Sequence, residues 1–158
     1  MAVCGLTLLL FFTLCGCGAQ RQTGEWFAMD TVMTAAVYGS ADALDAVEAE
    51  TYRLDALLAA QKDDSEIAAV NAGAEVVSEE TAALLRRALE IAAETNGAYD
   101  PTVYPLMRAW GFTDGNYRVP ADAELDALLQ TTGWTEVSVD GTPASLPEGF
   151  ALDLGGIG

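Results

Sequence analysis

The pattern of apolar and polar positions along this chain predicts both strands and helices. Residues 25–38 are rich in aromatic and β-branched side chains, which favours a strand or a hairpin. Residues 42–60 instead carry apolar side chains at helical spacing, with carboxylates between them. This spacing predicts an amphipathic helix, and the positions on its apolar face are Leu44, Val47, Thr51, Leu54 and Leu58.

Two serines mark the predicted starts of further helices. Ser65 precedes one or two helical turns that end near Asn71, and Glu66 is well placed to complement the helix dipole. Ser78 precedes a longer apolar stripe that runs to the stop signal Asn96-Gly97. Both serines are therefore predicted to cap a helix through their side chains.

The rest of the chain is predicted to consist of shorter elements. A helix is expected at 121–130, and strands are expected at 134–140 and 150–154, separated by a turn rich in glycine and proline. Because strands and helices are mixed without strict alternation, the whole pattern predicts an α+β fold.

Composition and charge narrow the classes of function. The chain has 158 residues with a formal net charge of -17, from 24 acidic and 7 basic side chains, and it has no histidine. Such an acidic surface repels a nucleic-acid backbone, so nucleic acid is excluded as a predicted partner. Without histidine, the commonest ligand of transition metals is missing, and any metal is expected to be a hard ion such as Mg²⁺ held by oxygen.

The first 16 residues predict a bacterial lipoprotein signal peptide. The apolar run at 3–14 has the length of a signal-peptide core and is too short to span a bilayer. The following Leu14-Cys15-Gly16-Cys17 resembles a lipobox, in which the last cysteine is acylated after cleavage. We therefore expect a lipid anchor at Cys17, which would hold the protein on the bacterial cell membrane, facing the periplasm or the cell exterior. The alternative is a buried apolar strand.

The cysteines and the first charged residue support this division of the chain. The three cysteines lie within the first 17 residues, so the body of the protein has none for a disulfide or a thiolate metal site. The first charged residue is Arg21. We expect residues 17–24 to form a polar tether and residues 25–158 to form the folded domain.

Three segments look unlike ordinary scaffold. The first is Met29-Asp30-Thr31 within an apolar strand, although a strand edge or turn would also explain it. The second, 95–112, combines Asp100 before a proline with aromatic residues, which suits a loop that presents flat faces to a heterocycle. The alternative is a connection whose aromatic residues cover the core.

The third segment, 151–158, leads from a predicted strand through Asp153 into a glycine-rich turn. Glycines let backbone N–H groups approach a ligand, and such turns commonly open a helix that favours phosphate. The segment matches neither the P-loop nor the fingerprint of the dinucleotide-binding fold.

Taken together, these segments resemble the ApbE family, the FAD:protein FMN transferases. The motifs of that family occur here in the family's order, and they are Met29-Asp30-Thr31, Ser65-Glu66-Ile67 with Asn71, residues 97–106 with Trp110-Gly111-Phe112, and residues 153–158. The resemblance implies an ApbE-like, T-fold-related α+β domain, of which residues 25–158 are the N-terminal portion.

The resemblance also implies an activity. Members of the family bind FAD and Mg²⁺ and transfer FMN to a threonine hydroxyl of a target protein, with AMP as the leaving group. Their targets include subunits of the Na⁺-pumping NADH:quinone reductase (Nqr) and Rnf complexes. Two alternatives remain open: an FAD pyrophosphatase that releases FMN and AMP, and a non-catalytic flavin-binding lipoprotein.

Site residues follow from the resemblance by position. The positions implied to contact FAD are Met29, Ala98, Tyr99, Asp100 and Asp153, and the backbone carbonyl of Gly156 is implied to help hold the metal. Two positions depart from the family pattern, since Gln61 stands where the family often has Tyr or His, and Asp30 replaces a glycine. The catalytic residues and the remaining metal ligands are expected C-terminal to Gly158, so residues 18–158 alone are expected to be inactive.

Overall fold

The structure, a computed structural model, describes residues 20–157. The predicted signal peptide at 1–16 and the predicted lipid attachment at Cys17 therefore lie outside the described residues. The chain divides into two compact units, one ending at Thr51 and the other beginning at Tyr52. Strands and helices are mixed along the chain, which confirms the predicted α+β class. Between residues 20 and 157, no helix has both the length and the apolar character needed to cross a bilayer.

A β-hairpin opens the first unit. Strands β1 (Arg21–Ala28) and β2 (Thr31–Tyr38) pair antiparallel over their whole length, and a two-residue turn joins them. The hairpin predicted at 25–38 is confirmed, but the predicted tether at 17–24 is wrong from Arg21 onward. Polar side chains point to an exposed face there, while the backbone of residues 21–24 still pairs with β2.

Helix α1 (Ala41–Leu58) follows the hairpin, close to the bounds that were predicted. A Cβ built on Gly24 would lie 3.1 Å from Leu44 Cδ2, so this glycine lets the helix approach the strand closely. Thr51 is buried, and its hydroxyl donates to the carbonyl of Val47 at 2.9 Å.

Four helices of the second unit precede its small sheet: α2 (Glu66–Asn71), α3 (Glu79–Glu94), α4 (Tyr104–Trp110) and α5 (Asp122–Leu129). The two predicted caps are confirmed, because Ser65 Oγ accepts from the N–H of Ala68 at 3.0 Å and Ser78 Oγ accepts from that of Thr81 at 3.2 Å. Helix α4 was not predicted, because it has only seven residues and a proline in its first turn.

The two strands predicted near the end of the chain are largely wrong. Residues 134–140 form a 3₁₀ turn (Trp134–Glu136) and then the short strand β3 (Ser138–Val139), which pairs with β4 (Ala144–Ser145). Residues 150–154 lie in no strand. Leu152 and Leu154 are buried, but the backbone of this segment bonds to a side chain and to a loop, so its apolar residues misled the prediction.

The core described for the chain lies in the second unit. Buried residues of α2, α3, β4 and the segment at 151–154 pack into one cluster, in which Ile67, Leu85 and Leu152 are almost fully buried. The 151–154 segment is therefore fixed by apolar burial on one side, which positions the candidate residues beside it.

Candidate functional site

The six candidate residues fall into both units. Met29 lies at the tip of the hairpin in the first unit. The others lie in the second unit, on the loop 97–103 that joins α3 to α4 and on the segment 152–156. The structure joins the loop to the segment through a backbone hydrogen bond and through the packing of Tyr99 against Gly156.

The tip of the hairpin has an unusual backbone. Met29 and Asp30 both have positive φ, 52° and 56°, as the central residues of the two-residue turn. Turns of this kind normally use asparagine or glycine, because a Cβ is disfavoured in the left-handed region. Non-glycine residues held in this way cost about 1–3 kcal/mol each and are common at ligand sites. The strain at Met29 is therefore consistent with a ligand-binding role at this tip.

The loop 97–103 begins where α3 ends. Asn96 and Gly97 have φ of 53° and 79°, and the N–H of Gly97 donates to the carbonyl of Ala92 at 2.8 Å. The N–H of Tyr99 then donates to Thr95 Oγ1 at 3.1 Å. Ala98 is exposed between these anchors. The backbone of the loop is thus held at its first turn, with Ala98 open to solvent.

Asp100 is tied down by three hydrogen bonds. Its Oδ1 accepts from the N–H and the hydroxyl of Thr102, at 2.8 Å and 2.6 Å, and its Oδ2 accepts from the N–H of Trp134 at 3.2 Å. The hydroxyl of Thr102 in turn accepts from the N–H of Gly133 at 2.7 Å. These bonds join the loop to the segment that precedes the 3₁₀ turn.

The segment 152–156 is held from two sides. The side-chain amide of Asn71 pairs with the backbone of Leu152 in both directions, since its Nδ2 donates to the carbonyl at 2.9 Å and its Oδ1 accepts from the N–H at 2.7 Å. The N–H of Asp153 donates to the carbonyl of Pro101 at 2.8 Å. The second bond connects this segment directly to the loop 97–103.

Tyr99 and Gly156 meet where the two segments converge. A Cβ built on Gly156 would lie 2.7 Å from Tyr99 Cε2, so the ring closes against the glycine backbone and leaves no room for a side chain. The phenol oxygen of Tyr99 is buried and has no hydrogen-bond partner among residues 20–157. Burial, with smaller effects from the carboxylates of Asp153 and Asp100, raises the pKa of Tyr99 to about 12. The hydroxyl is therefore protonated at neutral pH and is an unused hydrogen-bond donor.

Asp153 retains binding capacity. Its Oδ1 accepts from the N–H of Gly155 at 2.8 Å, while its Oδ2 makes no hydrogen bond within the described part of the chain. The ring of Tyr99 thus packs against Gly156, and Asp153 bonds to the neighbouring Gly155 in the same segment. A protonated tyrosine hydroxyl and a carboxylate oxygen supply one donor and one acceptor, which suits a ligand with both acceptor and donor groups.

The described residues fit a magnesium site in part. They contain no group of three His, Cys, Asp or Glu side chains that could hold a metal. Mg²⁺ is commonly bound by one or two carboxylates together with substrate phosphates and water. The candidate here is the backbone carbonyl of Gly156, an oxygen ligand of a kind that suits that ion.

Sequence reasoning missed the residues that hold the candidates in place. Asn71 was assigned to a motif without a role, and Thr102, Gly133 and Trp134 were assigned none. The Asp-Pro-Thr order was a usable signal, because an aspartate often accepts from the residue two positions later. The contact of Asn71 with Leu152 joins residues 81 positions apart, and no local pattern indicates it.

Known proteins match this chain in sequence and in structure. A family model described as the ApbE family matches residues 29–158. The FAD:protein FMN transferase of Salmonella typhimurium is 34% identical and that of Escherichia coli K12 is 29% identical, over 87% and 85% of this chain. The chain spans 44% of the length of each of these relatives.

Two solved structures are similar over most of the chain. The ApbE protein of Thermotoga maritima MSB8 has a TM-score of 0.81 at 31% identity, covering 87% of this chain and 48% of that one. The flavinyl transferase ApbE of Pseudomonas stutzeri, in its apo form, has a TM-score of 0.77 at 26% identity, covering 89% of this chain and 51% of that one.

Proposed function

This chain belongs to the ApbE family, and from that premise we propose that the protein containing it transfers FMN from FAD to a threonine hydroxyl of a target protein. The observation that carries the proposal is the family match over 29–158, which includes every candidate residue. The relatives named above are FAD:protein FMN transferases, which supports an enzymatic, FAD-consuming activity for the protein containing this chain.

The proposed reaction is a phosphoryl transfer. The threonine oxygen of the target forms a bond to the phosphorus of the FMN half, and the bond from that phosphorus to the bridging oxygen of the pyrophosphate breaks. AMP leaves with the bridging oxygen, and the threonine proton is lost to a base or to solvent. Reactions of this type depend mainly on positioning and on neutralising charge at the phosphates.

The residues of this chain contribute binding and positioning to that reaction. Tyr99 offers its buried hydroxyl as a donor to an acceptor atom of FAD, and Asp153 offers Oδ2 to a donor. The glycine backbone at 155–156 lets the ligand approach closely. The strained turn at Met29 is assigned to flavin contact by its position in the family motif. Ala98 and Asp100, on the loop, are assigned to FAD contact by their positions in the family motif.

A Mg²⁺ ion, when bound, would supply the positive charge that the phosphates require, and the backbone carbonyl of Gly156 is the group of this chain proposed to help hold it. The chain itself is poor in positive charge, because it has one lysine, Lys62, six arginines and no histidine against 24 acidic side chains. Lys62 is engaged with Asp55 at 2.8 Å. The need for an external cation is therefore consistent with the composition.

The deciding experiment incubates the full-length protein with FAD, Mg²⁺ and a threonine-containing target peptide. Transfer predicts a peptide that gains the mass and fluorescence of FMN, together with AMP, and no product on a peptide with alanine for threonine. Free FMN and AMP without labelled peptide would contradict transfer and identify an FAD pyrophosphatase. Bound, unreacted FAD would identify a non-catalytic flavin-binding protein.

We also propose the setting in which this reaction takes place. A lipid anchor at Cys17 would hold the protein on the bacterial cell membrane, facing the periplasm or the exterior, where flavin-bearing subunits of Nqr or Rnf complexes would be its targets. The support is the signal-like sequence at 1–16 and the family's typical targets. Cys17→Ser should abolish fatty-acid labelling and release the protein from the membrane fraction. Retained labelling would contradict the anchor.

A further inference from the structure

The loop that carries Ala98, Tyr99 and Asp100 is tied to a distant part of the second unit through one buried hydroxyl. Thr102 is fully buried, and its hydroxyl makes two short bonds at once. It donates to Asp100 Oδ1 at 2.6 Å and accepts from the N–H of Gly133 at 2.7 Å. One hydroxyl therefore links two segments that are 31 positions apart.

The second link uses the other oxygen of the same carboxylate. Asp100 Oδ2 accepts from the N–H of Trp134 at 3.2 Å, so Asp100 and Thr102 together hold two consecutive backbone N–H groups. The indole of Trp134 also lies beside the start of the loop, because a Cβ built on Gly97 would be 3.5 Å from its Nε1. Residues 133–134 thus bond to the second half of the loop and lie close to its start.

This arrangement changes what the carboxylate of Asp100 can do. Three of its acceptor positions are occupied by protein donors, and a carboxylate offers about four. Its main contribution is then internal: it fixes the backbone on which Tyr99 stands. Tyr99 is the neighbour whose ring packs against Gly156 and whose buried hydroxyl has no partner among residues 20–157.

We propose that Thr102 is a positioning residue of the flavin-dinucleotide site, acting through Asp100 to hold the loop 97–103 against Gly133 and Trp134. Thr102 itself does not contact the ligand, since it is fully buried. Loss of its hydroxyl would leave the N–H of Gly133 without a partner and would loosen Asp100. The inference rests on the proposed function, because the ligand of the site is taken to be FAD.

The test compares Thr102→Val with Thr102→Ser in the full-length protein. Valine preserves the shape and removes the hydroxyl, whereas serine keeps the hydroxyl. We expect Thr102→Val to weaken FAD binding about tenfold and Thr102→Ser to stay within about twofold of wild type. Amide hydrogen exchange at Gly133 and Trp134 should accelerate in the valine variant alone. This measurement tests the hydrogen bonds to these two N–H groups without any ligand.

Thr81→Val is the matched control. Thr81 is also fully buried, and its hydroxyl accepts from Ser78 Oγ at 3.2 Å near the start of α3, away from the loop. The Thr81→Val variant should have a lower melting temperature and an unchanged FAD affinity. Equal loss of FAD affinity in Thr81→Val and Thr102→Val would overturn the proposal, because general destabilisation would then explain both.

The remaining outcomes also decide the question. Unchanged FAD affinity in a folded Thr102→Val variant would overturn the positioning role. If that variant fails to fold, Asp100→Asn replaces it, since it disturbs the bond to Trp134 and keeps the side-chain volume; wild-type affinity there would equally overturn the proposal. Absence of FAD binding by the wild type would instead remove the proposed function, and the positioning role with it.

Discussion

Two clusters of residues in the second unit differ in whether their polar groups have hydrogen-bond partners. The anchor cluster, which consists of Ser65, Glu66, Asn71 and Ser78, directs its side chains to backbone groups and to each other. The site cluster, which consists of Tyr99, Asp153 and Gly156, contains a buried hydroxyl with no partner among the described residues and a carboxylate oxygen with no hydrogen bond there.

The difference separates residues that stabilise the fold from residues that are available to a ligand. Paired polar groups contribute to the free energy of unfolding, whereas a buried donor without a partner lowers it. Substitutions in the anchor cluster should therefore change stability more than binding. Substitutions in the site cluster should lower FAD affinity whether or not they also change stability.

The largest effect is expected at Asn71. Asn71→Ala removes two hydrogen bonds and leaves the N–H and carbonyl of Leu152, a fully buried residue, without partners. We expect the free energy of unfolding to fall by about 3 kcal/mol, measured by urea denaturation. Asn116→Ala is the control, since Asn116 is exposed and bonds only to Asp114, and it should cost less than about 1 kcal/mol. Equal losses would contradict the role of the anchor.

The next effect is expected at Gly156, where the comparison predicts a loss of binding. Gly156→Ala places a Cβ 2.7 Å from Tyr99 Cε2, so the ring must move from its position against the glycine backbone. We expect FAD affinity to fall about tenfold or more, with a loss of about 1–3 kcal/mol in stability from overpacking. Calorimetric titration with FAD measures the first, and thermal unfolding the second. Wild-type affinity in this variant would show that the ring and the glycine do not form the ligand site.

The contribution of the anchor cluster to stability depends on pH through Glu66. Burial alone would raise the pKa of Glu66, but hydrogen bonds from Thr81 and Ser78 outweigh that effect and lower the pKa below its usual value. A carboxyl with a lowered pKa in the folded state stabilises the fold above its unfolded pKa, near 4.5, and loses that contribution as the pH falls.

Glu66→Gln should therefore cost about 1 kcal/mol at pH 7. The gap in unfolding free energy between wild type and variant should narrow as the pH falls below about 4.5. Urea denaturation at pH 7 and at pH 3.5 to 4 measures both. A gap that is independent of pH would show that the ionised carboxylate does not stabilise the capped start of α3.

The parts of the fold that sequence reasoning predicted well depend on short-range bonds. Ser65 and Ser78 cap helices through bonds to residues three positions later, and such bonds leave a local signature. A strand or hairpin at 25–38 was predicted from its local content of aromatic and β-branched residues, although the first strand begins earlier, at Arg21. Helix α4 escaped prediction because a proline in its first turn resembles a loop signal.

The candidate site was predicted by resemblance and could not be derived from local pattern. The positions of Tyr99, Asp153 and Gly156 followed from family motifs, but their convergence depends on the bond from Asp153 to Pro101 and on Asn71. Those contacts join residues more than 50 positions apart. Apolar residues near Leu152 even suggested a strand, because burial against a core and pairing in a sheet produce the same local pattern.

The smallest effect on stability is expected at Tyr99. A substitution there tests most directly whether the site cluster differs from the anchor cluster. Tyr99→Phe removes a buried hydroxyl that has no partner in residues 20–157, so the free energy of unfolding at pH 7 should stay unchanged or rise slightly. FAD affinity should nevertheless fall several-fold, because the donor proposed for the ligand is lost. Tyr117→Phe is the matched control, since Tyr117 is 73% exposed, and it should change neither quantity.

The pH dependence of stability provides a second measurement on Tyr99→Phe. Because the pKa of Tyr99 is raised from 10.0 to about 12, the folded state holds a proton that the unfolded state releases between these values. Stability is therefore retained below pH 10 and falls as the pH rises from about 10 to 12. Tyr99→Phe should lessen this fall and should remove one tyrosine from the ultraviolet titration near pH 12. If FAD affinity falls without loss of that titration step, the hydroxyl at Tyr99 is not the buried donor that distinguishes the site cluster from the anchor.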